Sequence, residues 1–364
     1  MQEAAVTEHR ASDKRGGAHA IPALLMILAL LLGTVTGCAA QEPDQTGDGK
    51  MKIVTTIFPP YDFARAVIGS GETADIKMLL SPGEEVHSYE PTPLDIREIQ
   101  ACDLFIYVGG ENDVWVERIL ENMGGERPQT LSLLEVTDTL AEEIVEGMME
   151  ERGGHDHEVE EHDHETEDHD NGHVHSGDSS EAEHEEADEH VWTSPVKAAE
   201  ITEAIARKIA QIDPEHAETY LKNAKAYEEQ ILELDAQYRQ IAENAARKTI
   251  VFGDRFPIRY FAEEYGLDYF AAFAGCSSEA EPSASTLAFL IDKVKEEEIP
   301  VVFTIEFSNG NIARAICEST GAEQRRFETC HNVTKEQMDS GATYVSLMTG
   351  NLESVREALG DRDE

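Results

Sequence analysis

The sequence predicts an α/β protein of two lobes, each built on a parallel sheet, bridged by one long rigid helix. Three observations carry this. Short β-branched runs alternate with amphipathic stretches, the pattern of parallel strands and their crossover helices. The alternation occurs once before the middle of the chain and again after it. Between the two sets, apolar residues recur at spacings of four and three over some thirty positions, which is one buried stripe on a helix.

The first set opens with "KIVTTIF" as a strand, then "PPYDFARAVIG" as a helix and "ADIKMLL" as a second strand. The turn "SPGEE", a helix from Thr92 to Gln100 and the strand "DLFIYVGG" follow. A helix begins at Ser194 and Pro195 in "TSPVKAAEITEAIARKIA", where Ser is a cap and Pro suits the first helical position. The long helix is expected to start at Asp213 and Pro214 and to carry Tyr220, Ala224, Tyr227, Ile231, Leu234, Tyr238 and Ile241 on its core face. At 1.5 Å per residue it would span about 50 Å. The second set reads "KTIVFG", "GLDYFAAF", the helical "STLAFLIDKVKEEE", "VVFTIEF", the helix "NGNIARAICESTG", a short strand and a C-terminal helix.

Ahead of the lobes, Arg10, Lys14 and Arg15 precede the apolar run "IPALLMILALLLG", which is too short for an ordinary membrane span and reads as an export signal. Its ending "VTGC" resembles a lipobox, with Val35 where leucine is commoner, so Cys38 is the expected lipidation site on a chain anchored to the outer face of the cell membrane. A plain secretory signal is the alternative. The expected organisation is residues 1–37 signal, 38–50 lipidated tether, 51–192 first lobe, 193–247 connecting helices and 248–364 second lobe.

Charge narrows the partners. A formal net charge of -45 over 364 residues repels phosphate backbones, so nucleic acid is excluded and cations are favoured. Over a third of that excess lies between Glu151 and His190, which hold seventeen Asp or Glu and one Arg. Within this stretch stand His155, His157, His162, His164, His169, His173 and His175. Such composition predicts a disordered, solvated insertion over residues 150–189, seven weak cation sites that would raise local metal concentration. Because a ligating imidazole must be neutral, its binding should fade below about pH 6. A solvated linker, or a metal sponge with no link to a cleft, is the other reading.

Of the remaining histidines, His216 sits in an exposed turn and is assigned no role. His87 follows a strand in "SPGEEVHSYEPTPLD", His190 precedes a helix in "DEHVWTSPVKA", and His331 follows a short strand in "ETCHNVT". The C-terminal edge of an open α/β sheet is where ligands bind, so the three could meet in one cleft. Three imidazoles with one further donor suit tetrahedral Zn²⁺.

The order of "IVTTIFPPYDFARAVIG", "MLLSPGEEVHSYEPTPLDI", "ADEHVWTSPVKAA", "DPEHAETYLKNAKAY" and "RYFAEEYGL…EAEPS" resembles the zinc and manganese solute-binding lipoproteins of ABC importers, the cluster A-I receptors, over essentially the whole mature chain. The resemblance implies one metal held between the lobes and delivery to a membrane permease by a monomeric receptor. It places His87 and His190 on the family's first two ligands and the histidine-rich insertion where zinc-type members carry one. Two positions depart. Where relatives show "fHdaF" this chain reads "VFGDRFPIRYF", so Gly253 stands at the usual third ligand and Asp254 is the nearest candidate donor. The usual aspartate loop reads "ETCHNVT", so His331 is expected to restore a three-histidine set. Water, Glu306 or Cys330 are the alternatives to Asp254, and a disulfide between Cys276 and Cys330 would remove the last. Manganese members use more carboxylates, so Zn²⁺ is the expected cargo and Mn²⁺ the alternative. A zinc-buffering or adhesive surface lipoprotein is the other reading. An enzyme is not expected: "HEEAD" at His184 lacks the second histidine of a zinc-protease helix, and neither a nucleophile elbow nor a phosphate loop occurs.

Overall fold

The structure, a computed structural model, describes residues 49–125, 127–148, 186–277 and 281–360. The expected signal, Cys38 and the seven histidines from His155 to His175 lie outside the described residues.

Two four-stranded sheets form, both entirely parallel and both with the same strand order. In the first, β1 (Met51–Thr55), β2 (Ala74–Met78), β3 (Leu104–Tyr107) and β4 (Gln129–Ser132) lie in the order β2-β1-β3-β4. In the second, β5 (Thr249–Phe256), β6 (Asp268–Ala274), β7 (Val301–Ile305) and β8 (Glu323–Phe327) lie in the order β6-β5-β7-β8. The central strands are mostly apolar because both faces are covered: all five residues of β7, VVFTI, are buried. β4, the polar "QTLS", and the helix Val114–Asn122 ahead of it were not visible in the residue pattern.

Helix α1 (Phe58–Ile68) starts on a pair of prolines, and α2 (Pro93–Ala101) on a capping box in which Thr92 Oγ1 accepts from the Asp95 N–H at 3.2 Å while Asp95 accepts from the Thr92 N–H at 2.9 Å. The remaining helices are α3 (Val114–Asn122), α4 (Pro195–Ile212), α5 (Ala217–Asn244), α6 (Arg259–Tyr265), α7 (Ala284–Glu296), α8 (Asn311–Thr320), α9 (Lys335–Asp339) and α10 (Tyr344–Leu359).

The bridging helix is α5, whose expected stripe from Tyr220 to Ile241 is buried at every position. It is pinned at both ends of its core face: the Tyr227 hydroxyl donates to Asp62 Oδ2 in α1 at 2.5 Å, and the Tyr238 hydroxyl to the Met348 carbonyl in α10 at 2.6 Å. The helix is shorter than the sequence suggested. It begins at Ala217, giving 28 residues and about 42 Å. Asp213 does not cap it; that residue closes α4, and its carboxylate accepts from the Tyr220 hydroxyl at 2.6 Å and meets His216 Nδ1 at 2.8 Å. The Asp-Pro pair thus makes the turn between two helices.

Residues 186–189, counted above with the acidic insertion, belong to the folded body. Ala187 bridges Ala141, the Asp188 N–H donates to the Leu140 carbonyl at 2.8 Å, and Asp188 and Glu189 are buried. The acids lose their solvent here because each is given hydrogen-bond donors. Cys102, Cys276, Cys317 and Cys330 are all free thiols, so the Cys276–Cys330 pairing does not form.

Candidate metal centre

Each of three histidines is delivered by a different loop. His87 rides a single 3-10 turn, Val86–Ser88, after β2, reached through Gly83 in the left-handed region that a side chain would disfavour. His190 closes the loop ahead of α4, where the Ser194 hydroxyl accepts from the Lys197 N–H at 3.3 Å and Pro195 starts the helix. His331 follows β8, turned out of the strand direction by Cys330 at φ 66.

The three rings converge. Their donor nitrogens all lie within 4.8 Å of one another, and the ring centroids are 4.7 Å apart for His190 and His331, 5.7 Å for His87 and His331, and 6.1 Å for His87 and His190. A tetrahedral Zn²⁺ at about 2.0 Å from each nitrogen would space them about 3.3 Å apart, within reach of small ring rotations. His87 Nδ1 and His331 Nε2 are buried with no hydrogen-bond partner, as nitrogens held for a cation must be.

The other ring nitrogens are tied down. His190 Nδ1 lies 2.9 Å from Asp188 Oδ1, which also accepts the His190 N–H at 2.9 Å. His331 Nδ1 lies 2.5 Å from Thr329 Oγ1. Trp192 stands edge-on to both rings, at 5.6 Å from His190 and 5.2 Å from His331, and its indole N–H donates to the Thr329 carbonyl at 2.9 Å. The His87 loop is stapled to the His331 loop by the Asn332 amide, which donates to the Ser81 and Glu84 carbonyls at 2.7 and 2.9 Å. Glu189 docks the His190 loop on the first lobe by accepting from Asn112 N and Nδ2 at 2.9 and 2.6 Å, and a Cβ at Gly110 would fall 2.4 Å from its Oε1.

Electrostatics keep two of the rings neutral. Burial, then the neighbouring His331, His190 and Arg255, pushes His87 down to about 2, against a smaller upward pull from Asn112. Burial also holds His331 well below its usual range, helped by His190 and Arg255. His190 moves the other way: burial lowers it, but the charge and hydrogen bond of Asp188 together with the charges of Glu189 and Glu142 raise it.

Asp254 does not join the cluster. β5 runs on through a register shift between Phe252 and Arg255, and the Asp254 carboxylate is buried beside its own strand, with Oδ1 accepting from the Arg255 N–H at 2.9 Å. Glu306 is occupied behind His331, accepting from Thr329 N, Thr329 Oγ1 and His331 N at 2.8, 2.6 and 3.1 Å. The Cys330 thiol is fully buried, and burial raises it far above the range where it would ionise. Among the described residues no fourth His, Cys, Asp or Glu donor lies within the same spacing. Sequence reasoning missed Asp188, Thr329, Trp192 and Asn332; only Asp188 carried a signal, in the "D-x-H" spacing.

Residues 53–358 match the family described as zinc-uptake complex component A, periplasmic (ZnuA). The chain is 31% identical over 333 residues to the zinc-binding lipoprotein AdcA of Streptococcus pneumoniae, covering 92% of this chain but only 60% of that protein's length. It is 31% identical over 346 residues to the high-affinity zinc uptake system protein ZnuA of Bacillus subtilis, covering 95% of this chain and 98% of the relative. The crystal structure of the Zn(II)-bound ZnuA-like domain of S. pneumoniae AdcA superposes with a TM-score of 0.65 at 28% identity, covering 86% of this chain and all of that one. The extent of these matches, on the same two-lobe parallel-sheet fold, makes the chain a member of the zinc-uptake complex component A family.

Proposed function

We propose that the protein is an extracytoplasmic Zn²⁺ receptor, anchored through Cys38, that binds one ion at His87, His190 and His331 and hands it to an ABC importer. The observation that carries this is the convergence of three buried imidazoles, two of them held neutral, with no carboxylate among the donors. Such a set favours zinc over manganese, whose hard cation prefers carboxylate and carbonyl oxygen. Water takes the fourth position in this reading, because Asp254, Glu306 and Cys330 all lie outside the histidine cluster, Glu306 being held by the Thr329 and His331 N–H groups and the Cys330 thiol kept protonated by burial. The names of the relatives point to the same cargo. The acidic histidine-rich run ahead of the His190 loop serves as an accessory collector.

Zinc titration against a competing chelator tests this with the mature chain from Ala39, a deletion of residues 153–177, and a His87→Ala/His190→Ala double variant. One tight site that survives the deletion and vanishes in the double variant is expected. A tight site that disappears with the deletion and ignores the two histidines would leave a zinc-buffering surface protein instead.

A further inference from the structure

His331 stands where the receptor family resembled above carries a carboxylate, so whatever support it needs must come from this chain's own surroundings. Glu306, immediately after β7, and Thr329, after β8, are brought side by side by the register that pairs Ile305 with Phe327. Thr329 is fully buried and Glu306 nearly so.

The hydrogens in this group can be placed by elimination. Glu306 receives the Thr329 N–H on Oε2 and the His331 N–H on Oε1, at 2.8 and 3.1 Å, the pattern of a carboxylate accepting on both oxygens, and these donors oppose the burial that raises its proton affinity. The Thr329 hydroxyl, 2.6 Å from Oε1, therefore donates its single proton to Glu306. Having spent that proton, Thr329 Oγ1 faces His331 Nδ1 at 2.5 Å as an acceptor, so Nδ1 carries the ring hydrogen. Nε2 is left with a bare lone pair, and it is the nitrogen that has no protein partner.

We propose that Glu306 is a positioning residue of the metal site, acting through the Thr329 hydroxyl to hold His331 in the tautomer whose Nε2 lone pair faces the ion. Asp188 does the same for His190 directly, so two buried carboxylates stand behind a donor set that is itself uncharged. Both supports sit outside the donor atoms themselves, Asp188 one hydrogen bond from His190 and Glu306 two from His331. Outer partners of this kind orient metal-binding histidines and raise their basicity, and losing one costs about 10- to 100-fold in affinity. This inference rests on the receptor reading, and the test separates the two.

The variants are Thr329→Val, which keeps shape and leaves Glu306 its two backbone donors, Thr329→Ser, which returns the hydroxyl, and His331→Ala. Zinc affinity is read by chelator competition, folding by thermal unfolding, and the His331 tautomer by long-range ¹H–¹⁵N spectra of the metal-free protein. Thr329→Val is expected to unfold near the parent temperature, lose about 10- to 100-fold in zinc affinity and show hydrogen on Nε2, with Thr329→Ser recovering both properties. If Thr329→Val binds zinc as the parent does with hydrogen still on Nδ1 while His331→Ala loses the site, the relay is wrong and the receptor stands. If His331→Ala also leaves affinity unchanged, the site itself is wrong.

Discussion

Replacing Gly253 by histidine, the residue the family resemblance leads one to expect there, will not rebuild a ligand. A Cβ at Gly253 would lie 2.5 Å from Ala313 Cα, 2.6 Å from Ala313 N and 2.8 Å from Ala313 Cβ. Carbon atoms in contact prefer about 3.5 to 4.0 Å, so the shortfall is about 1 Å against a helix backbone that cannot rotate aside. Overpacking of this sort costs about 1–3 kcal/mol, and a rigid neighbour places Gly253→Ala at the top of that range. At roughly 2–4 °C per kcal/mol for a large domain, Gly253→Ala should unfold about 6–12 °C below the parent. Gly253→His should be worse and should bind zinc no more tightly. Circular dichroism melts with chelator present, followed by zinc competition on whatever folds, would measure both. The reasoning fails if Gly253→Ala melts within about 2 °C of the parent, or if Gly253→His gains zinc affinity at unchanged stability.

Two further outcomes follow from the cluster. Because His87 is held down to about 2 and His331 well below its usual range, the unfolded chain binds more protons than the folded one below about 6.5. Each of these two rings should therefore cost the metal-free protein stability as pH falls from 7 to 5, His87 alone about 2 kcal/mol at pH 5, while His190 and the buried Asp113, whose values are raised, pull the other way, so the His87 contribution is read as a difference between parent and variant. In melts at pH 5, 6 and 7, His87→Asn should gain on the parent as pH falls, and a parent–variant difference that stays constant from pH 7 to 5 would contradict the assignment. Of the two tryptophans, only Trp192 touches the cluster, while Trp115 packs on Tyr89 and Phe105. Zinc should shift the emission of Trp115→Phe and leave Trp192→Phe unchanged; the reverse pattern would put the ion elsewhere.

Much of this fold was legible in the residues because parallel strands covered on both faces read as continuous apolar runs, and because the α5 stripe repeats without interruption. β4 escaped because four mostly polar residues at a sheet edge carry no such run. The start of α5 was misread because an acid followed by proline satisfies the rules for a helix start and equally those for a turn. His87, His190 and His331 could be singled out because loops at strand ends and helix starts are where a histidine has few structural duties. Asp254 was named for its nearness in sequence to a missing ligand, yet a bulge in β5 decides what its side chain meets. The Glu306–Thr329 contact spans 23 residues and exists only through the β7–β8 register, which no local pattern reveals.

That Gly253 lies on β5 and His331 just after β8, with β7 between them in one sheet, has a consequence for descent. A donor lost from one strand can be replaced from the loop after another, because the ion is indifferent to which strand supplies its nitrogen. Comparison column by column would record a vanished ligand and an unrelated substitution about eighty positions downstream. Under the proposed three-histidine site the two positions amount to one change of address along one edge, and kinship among such receptors is then better judged by counting imidazoles at the cleft than by asking whether each stands in its expected column.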